Sequence, residues 1–141
     1  SILNLSNVYG PRQDPNGEAG VISIFANKYL NNEKPIIYGD GEQTRDYIYV
    51  KDVISALIKA SKIDENHFLN IGTGQEKSVN DLANSMKIQF NSGIEPTYKP
   101  AREGELKRSV LNNAKAKRDL DWEPVYSLDD GMEAVFNWLK S

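Results

Sequence analysis

The chain has 141 residues, with 17 Lys and Arg against 20 Asp and Glu, giving a net charge of −3. That length is enough for one domain with a real core, and the charge leaves no basic field for nucleic acid or an anionic membrane surface. There is no Cys and a single His, His67, so a disulfide framework and a thiolate metal site are excluded, and a zinc site would have to be built mostly from carboxylates.

In chain order, residues 2–6 predict a strand from the alternation of Ile2, Leu3 and Leu5. A strand at the very start has nothing before it to cover it, so the expectation is a fragment whose first strand belongs to a larger sheet. Residues 10–20 hold two Pro and three Gly and predict a loop. Val21, Ile24, Phe25 and Leu30 then recur at helical spacing, ending at Asn31-Asn32. Residues 35–38 predict a short strand, and Gly39-Asp40-Gly41 a turn. Asp52 predicts an N-cap for a helix with Val53, Ile54, Leu57, Ile58 and Ser61 on one apolar face. Residues 67–72 predict a strand. Ser78-Val79-Asn80-Asp81 has capping-box form and opens a helix to about Phe90. Residues 95–99 predict a strand, Asn112 or Asn113 a helix start, and Pro124 its stop. Ser127 opens the last helix, with Met132, Val135, Phe136 and Leu139 inward. Strands alternating with helices give an α/β class.

Two motifs point away from the chemistry they mimic. Tyr47 and Lys51 have the Tyr-x-x-x-Lys spacing that moves a proton when both lie on one helical turn. Residues 47–50 alternate with period two, which would separate the side chains by about 13 Å. Gly72-Thr73-Gly74 follows a predicted strand, but it lacks the third Gly and the later acidic residue of a dinucleotide loop. His67 reads as a strand-edge residue, residues 113–119 as a solvated helix face, and the scattered tyrosines as no platform for nucleic acid. No apolar run approaches the ~18 residues of a membrane span.

Other stretches carry binding chemistry. Asn7 stands at a strand end before a Gly-Pro turn, where open α/β sheets place ligand contacts. Residues 17–23, GEAGVIS, put small residues and free N–H groups at a helix start, which suits a phosphate. Arg102 and Glu105 flank Gly104, and Arg45 precedes an apolar alternation. Two anion clamps and an acceptor for hydroxyls suit a diphosphate attached to sugars.

In order, NVYGPRQ, IIYGDGEQTRDYIYVKDV, FLNIGTGQEKSVNDL and AREGELKRSVLNNAKAKRDLDWEP resemble the C-terminal portion of the extended short-chain dehydrogenase/reductase family, in its nucleotide-sugar epimerase branch. The resemblance spans nearly the whole chain, residues 1–141. It implies the substrate-binding portion of a two-part enzyme, with strands that belong to a truncated Rossmann sheet. The N-terminal Rossmann part would hold NAD and the catalytic Tyr and Lys, so none of the residues here would be catalytic and this chain alone would be inactive.

By the same resemblance Asn7 touches diphosphate and sugar, and Ser6 borders the nicotinamide. Gly20 and Val21 meet the phosphates, and Ile36, Ile37 and Tyr38 flank the uracil. Arg45 and Arg102 bind phosphate, with Tyr47 beside the first. Glu105 holds ribose hydroxyls, and Ser109 borders the sugar at C2, where a small residue leaves room for an N-acetyl group. Asn4 stands where many relatives have Arg, and Glu105 where Asp is frequent. The implied activity is 4-epimerisation of UDP-hexoses, in a cytoplasmic homodimer that pairs through the other half. Dehydration or decarboxylation of a nucleotide sugar, or a non-catalytic binding module, are the alternatives.

Overall fold

The computed structural model describes residues 1–16 and 20–141. The predicted first strand is two strands, β1 (Ile2–Leu5) and β2 (Asn7–Tyr9), broken at Ser6. Helix α1 (Val21–Leu30) follows, then β3 (Ile36–Tyr38), β4 (Thr44–Arg45) and β5 (Tyr47–Tyr49). Helix α2 is Val50–Ala60 and β6 is Phe68–Ile71. Strand β7 (Lys77–Ser78) leads directly into α3 (Val79–Gln89). The chain closes with β8 (Thr97–Lys99), β9 (Arg108–Ser109), α4 (Ala114–Leu120) and α5 (Leu128–Lys140).

The strands pair over long sequence distances, as parallel pairing requires. β1 runs parallel to β6, β2 to β5 and β3 to β8. β4 is the middle of a three-stranded sheet, antiparallel to β7 and parallel to β9. The fold is α/β, as expected.

Strand β5 is buried on both faces and divides the core. Its alternation sends Tyr47 and Tyr49 one way and Ile48 the other. The first cluster gathers Tyr9, Ile37, Tyr47 and Tyr49 with buried residues of α1, α3 and α5. The second gathers Ile48, Leu69 and Ile71 with Val53 and Ala56 of α2, Ala116 and Leu120 of α4, and Trp122.

Both capping boxes form. Ser78 Oγ accepts from the Asp81 N–H at 3.0 Å, and Ser127 Oγ from the Asp130 N–H at 3.1 Å. The returning bond from the Ser78 N–H holds the Asp81 carboxyl below the usual range, and bonds from the Ser127 hydroxyl first and its N–H second do the same for Asp130.

Three expectations are corrected. Tyr49, not Asp52, is the N-cap residue of α2. Asp52 lies in the first turn, buried, and accepts from the backbone N–H groups of Val125 (3.0 Å) and Tyr126 (3.3 Å). It therefore anchors the α4–α5 connection, aided by Trp122, whose indole N–H donates to Ser55 Oγ and to the Asp52 carbonyl. The inward face of α2 is Val53 and Ala56, and Ile54, Leu57 and Ile58 are about half exposed. On α1 the innermost residues are Ile22, Phe25, Ala26 and Tyr29, and Val21 and Ile24 are only partly buried.

Candidate nucleotide-sugar site

A cavity of about 410 Å³ opens between the α1 N-terminus, β3, the β4–β5 segment and the loop 100–107. Asn7, Gly20, Val21, Ile36, Ile37 and Tyr38 line it, together with Arg45, Tyr47, Arg102 and Glu105. These residues are spread over almost a hundred positions of sequence, and the fold brings them to one place. Ser6 and Ser109 are not among its walls. Ser6 ends β1, with its Oγ buried and without a hydrogen-bond partner. Ser109 lies in β9, paired in register with Arg45, which does line the cavity.

The lining mixes polar and apolar groups. Gly20 is the N-cap residue of α1, in extended conformation, with no side-chain cap and no acid in the first turn. The first-turn N–H groups of such a helix lack intrahelical partners and carry its positive end. The Gly17–Ala19 part of the expected phosphate-binding stretch lies outside the described residues. Ile22, Ile24, Phe25 and Ile37 are among the apolar ones.

Two arginines face the opening. The Arg45 guanidinium donates to the Thr44 carbonyl at 2.8 Å and lies 3.8 Å from a Glu105 oxygen. Its side chain is 18% exposed, so it is held rather than waving in solvent. The Arg102 guanidinium stacks over the Tyr38 ring at 4.0 Å. A planar guanidinium can stack in this way and still present its N–H edge to an anion.

The turn before Arg45 is built for one shape. Gly39 and Gly41 have φ of +74° and +78°, where side chains are disfavoured. A Cβ on Gly41 would lie 2.1 Å from Asn80 Oδ1. Asn80 closes the turn by donating to the Asp40 carbonyl at 2.9 Å and to Glu42 at 2.7 Å. Gln43 then donates to the Tyr38 carbonyl at 2.9 Å, joining the turn to β3.

Burial raises the Tyr47 hydroxyl to about 12, with Arg45 pulling it down and Glu105 pushing it up. It stays protonated at neutral pH and does not serve as a base. Lys51 sits in α2, on the far side of the Tyr49 cap, with its ammonium over the Tyr126 ring. The two residues are therefore not a proton-transfer pair. Among the described residues no cluster of His, Asp and Glu could hold a metal, and no helix is long and apolar enough to cross a membrane.

Sequence reasoning missed Gln43 and Lys28, which also line the cavity. It also missed Asp46, buried directly behind it. A charged residue inside the alternation 45–49 was the available signal.

The fold is shared with known proteins. Residues 1–135 match the family described as GDP-mannose 4,6 dehydratase. The chain belongs to the extended short-chain dehydrogenase/reductase family of NAD-dependent epimerases and dehydratases.

A relative from Methanocaldococcus jannaschii is 50% identical over 141 residues, which is all of this chain and 46% of that protein. The UDP-glucose 4-epimerase of Thermotoga maritima, solved with UDP-glucose, superposes with a TM-score of 0.95 at 45% identity, covering 98% of this chain and 45% of that one. The UDP-glucose 4-epimerase of Thermus thermophilus, solved with NAD, gives 0.85 at 33% identity, covering 99% of this chain and 46% of that one. The chain thus spans under half the length of the relatives it matches.

Proposed function

We propose that residues 1–141 form the nucleotide-sugar-binding part of an NAD-dependent 4-epimerase that interconverts UDP-glucose and UDP-galactose. The observation that carries this reading is the single cavity in which two arginines and an uncapped helix start surround an apolar strand wall. A nucleotide sugar has the matching parts: a flat base, an anionic middle and hydroxyls at both ends.

In this reading Arg45 and Arg102 clamp the diphosphate, with the N–H groups after Gly20 completing the cradle. Residues 36–38 run along the uracil, and Glu105 accepts from the ribose hydroxyls. Asn7 reaches diphosphate and sugar, Tyr47 stands beside Arg45, and Ser109 leaves space at sugar C2 for an N-acetyl group. Ser6 offers an orphaned buried hydroxyl next to a strand end, which fits a place beside the nicotinamide. NAD, when bound, supplies the acceptor and donor of hydride at sugar C4. The part of these residues is to hold the diphosphate rigidly while the keto sugar turns its other face. The chain by itself has no turnover, and the whole enzyme is a homodimer paired outside residues 1–141.

The β1–β6 pair supports a docking role. Among the described residues β1 has a strand partner on one side only, and Ile2 and Phe68, paired in register, are 63% and 59% exposed. We assign this face to contact with an NAD-binding part.

The test is calorimetry of the full-length protein with UDP-glucose and GDP-mannose. Selective binding of UDP-glucose, with galactose formation followed by NMR, is the expected result. Preference for GDP-mannose would favour the second reading, a nucleotide-sugar dehydratase, for which the matched family description speaks.

A further inference from the structure

We infer that Asp46 is a positioning residue for the anion clamp. It acts through Arg45 and rests on the nucleotide-sugar reading above. Asp46 is 1% exposed and lies between two cavity residues, Arg45 and Tyr47. Strand alternation sends its side chain away from theirs, behind the cavity wall. The carboxylate has no ion pair with Arg45 and is met instead by neutral donors. Oδ1 accepts from the Thr73 N–H at 2.9 Å and the Thr73 hydroxyl at 2.6 Å. Oδ2 accepts from the Gly74 N–H at 3.1 Å and the Leu111 N–H at 3.3 Å.

The main chain of the same residue makes two more bonds. Its N–H donates to the Ser109 carbonyl at 3.0 Å, and its carbonyl accepts from the Asn7 N–H at 2.9 Å. One residue therefore ties together the start of β2, the turn after β6, and the strand and exit of β9. Asn7 and Ser109, both candidate site residues, are hydrogen-bonded to it directly. A buried carboxylate is costly unless every oxygen is occupied, so its seat tolerates little displacement. Gly72 confirms how closely the seat is fitted, since a Cβ there would lie 2.4 Å from Oδ2.

Because the carboxylate is saturated by neutral donors, the charge of Arg45 is left to the cavity, where Glu105 lies 3.8 Å away. Asp46 fixes where that charge points without neutralising it. Replacement by Asn keeps the shape but turns one acceptor into a donor facing the Gly74 and Leu111 N–H groups. The turn and β9 must then shift, and the Arg45 guanidinium with them.

The test is a double-mutant cycle on the full-length protein with UDP as the probe, read by calorimetry, with circular dichroism to confirm folding. Asp46→Asn is expected to weaken UDP binding roughly tenfold, the scale on which a misplaced binding group loses its effect. In an Arg45→Ala background the same change is expected to cost less than about twofold, because coupled residues are not additive. A purely structural role would give equal losses in both backgrounds, and that outcome overturns the inference. Unchanged affinity of Asp46→Asn overturns it as well. Should Asp46→Asn not fold, Thr73→Val decides. It removes the 2.6 Å bond while keeping the carboxylate, and it is expected to weaken UDP several-fold with the same dependence on Arg45. A wild type that does not bind UDP defeats the nucleotide-sugar reading and this inference together, whereas normal wild-type binding with an indifferent Asp46→Asn defeats the inference alone.

Discussion

The two clusters on either side of β5 meet the surface differently. The first packs against α1, α3 and α5, and its Ile22, Phe25, Ile37 and Tyr47 line the cavity. The second has α2 and α4 over one face of β1–β6, and it leaves Ile2, Leu5, Ile54, Leu57, Ile58 and Phe68 exposed. Scattered apolar residues are ordinary on a surface, but Ile2 and Phe68 are exposed side by side on neighbouring strands, as a contact face would be. On the reading proposed above, the first region receives a small molecule and the second receives more protein.

Matched truncations separate the two most strongly. Phe25→Ala in the first cluster and Trp122→Ala in the second each remove a side chain with at most 2% exposure. Each is expected to cost about 3–5 kcal/mol of stability, read from urea unfolding. Only Phe25→Ala should also weaken UDP binding, since Phe25 lines the cavity and Trp122 does not. Equal binding losses would show that the clusters are not functionally distinct.

Next in size, Arg45→Ala and Arg102→Ala remove charge-assisted bonds to phosphate worth about 1.5–3 kcal/mol, so UDP affinity should fall roughly ten- to a hundredfold. Calorimetry showing unchanged affinity with an intact fold would return both to surface decoration. A smaller effect is expected on the other face. Leu57→Ser with Ile58→Ser should change the stability of residues 1–141 by about 0.5 kcal/mol or less, yet reduce self-association in light scattering.

The smallest effect is on pH. Hydrogen bonds from Arg108 first, then Thr44, lower the Glu76 carboxyl from 4.5 to about 2. A depressed acid stabilises the fold above its unfolded pKa, and the contribution fades as pH falls from about 4.5 toward 2. Glu76 joins Arg108 of β9 to Thr44 of β4, the sheet that carries Arg45. The difference in urea midpoint between wild type and Glu76→Gln should therefore be present at neutral pH and vanish in acid. A difference that persists at the lowest pH would remove Glu76 from this role.

Much of the first region was legible in the sequence because its signals are local. The Ser78 and Ser127 boxes need only four residues each, and the Gly39–Gly41 turn only three. Arg45, Arg102 and Glu105 were legible from their motifs, and the cavity unites them. What was not legible is long-range. Asp52 has the residue type and position of a cap, but its carboxylate serves backbone groups 73 and 74 residues away. Periodicity marked the wide apolar stripe of α2 without saying which part this chain covers, so Ala56 went unnoticed beside Leu57. Strands β4, β7 and β9 have two residues each, too short for any alternation to show. Asp46 was invisible as an anchor because its partners lie 27, 28 and 65 positions away.

The Arg45–Glu105 contact has one more consequence. The chain already holds a carboxylate 3.8 Å from the guanidinium that awaits the ligand. On the proposed reading, docking of a phosphate there is an exchange of one anion for another, not the quenching of a bare charge. The released carboxylate is then free to turn to the hydroxyls of the same ligand, so a single displacement both vacates the clamp and supplies the next contact. Added salt should accordingly weaken binding less than two exposed arginines would imply, because the protein carries its own counterion into the encounter.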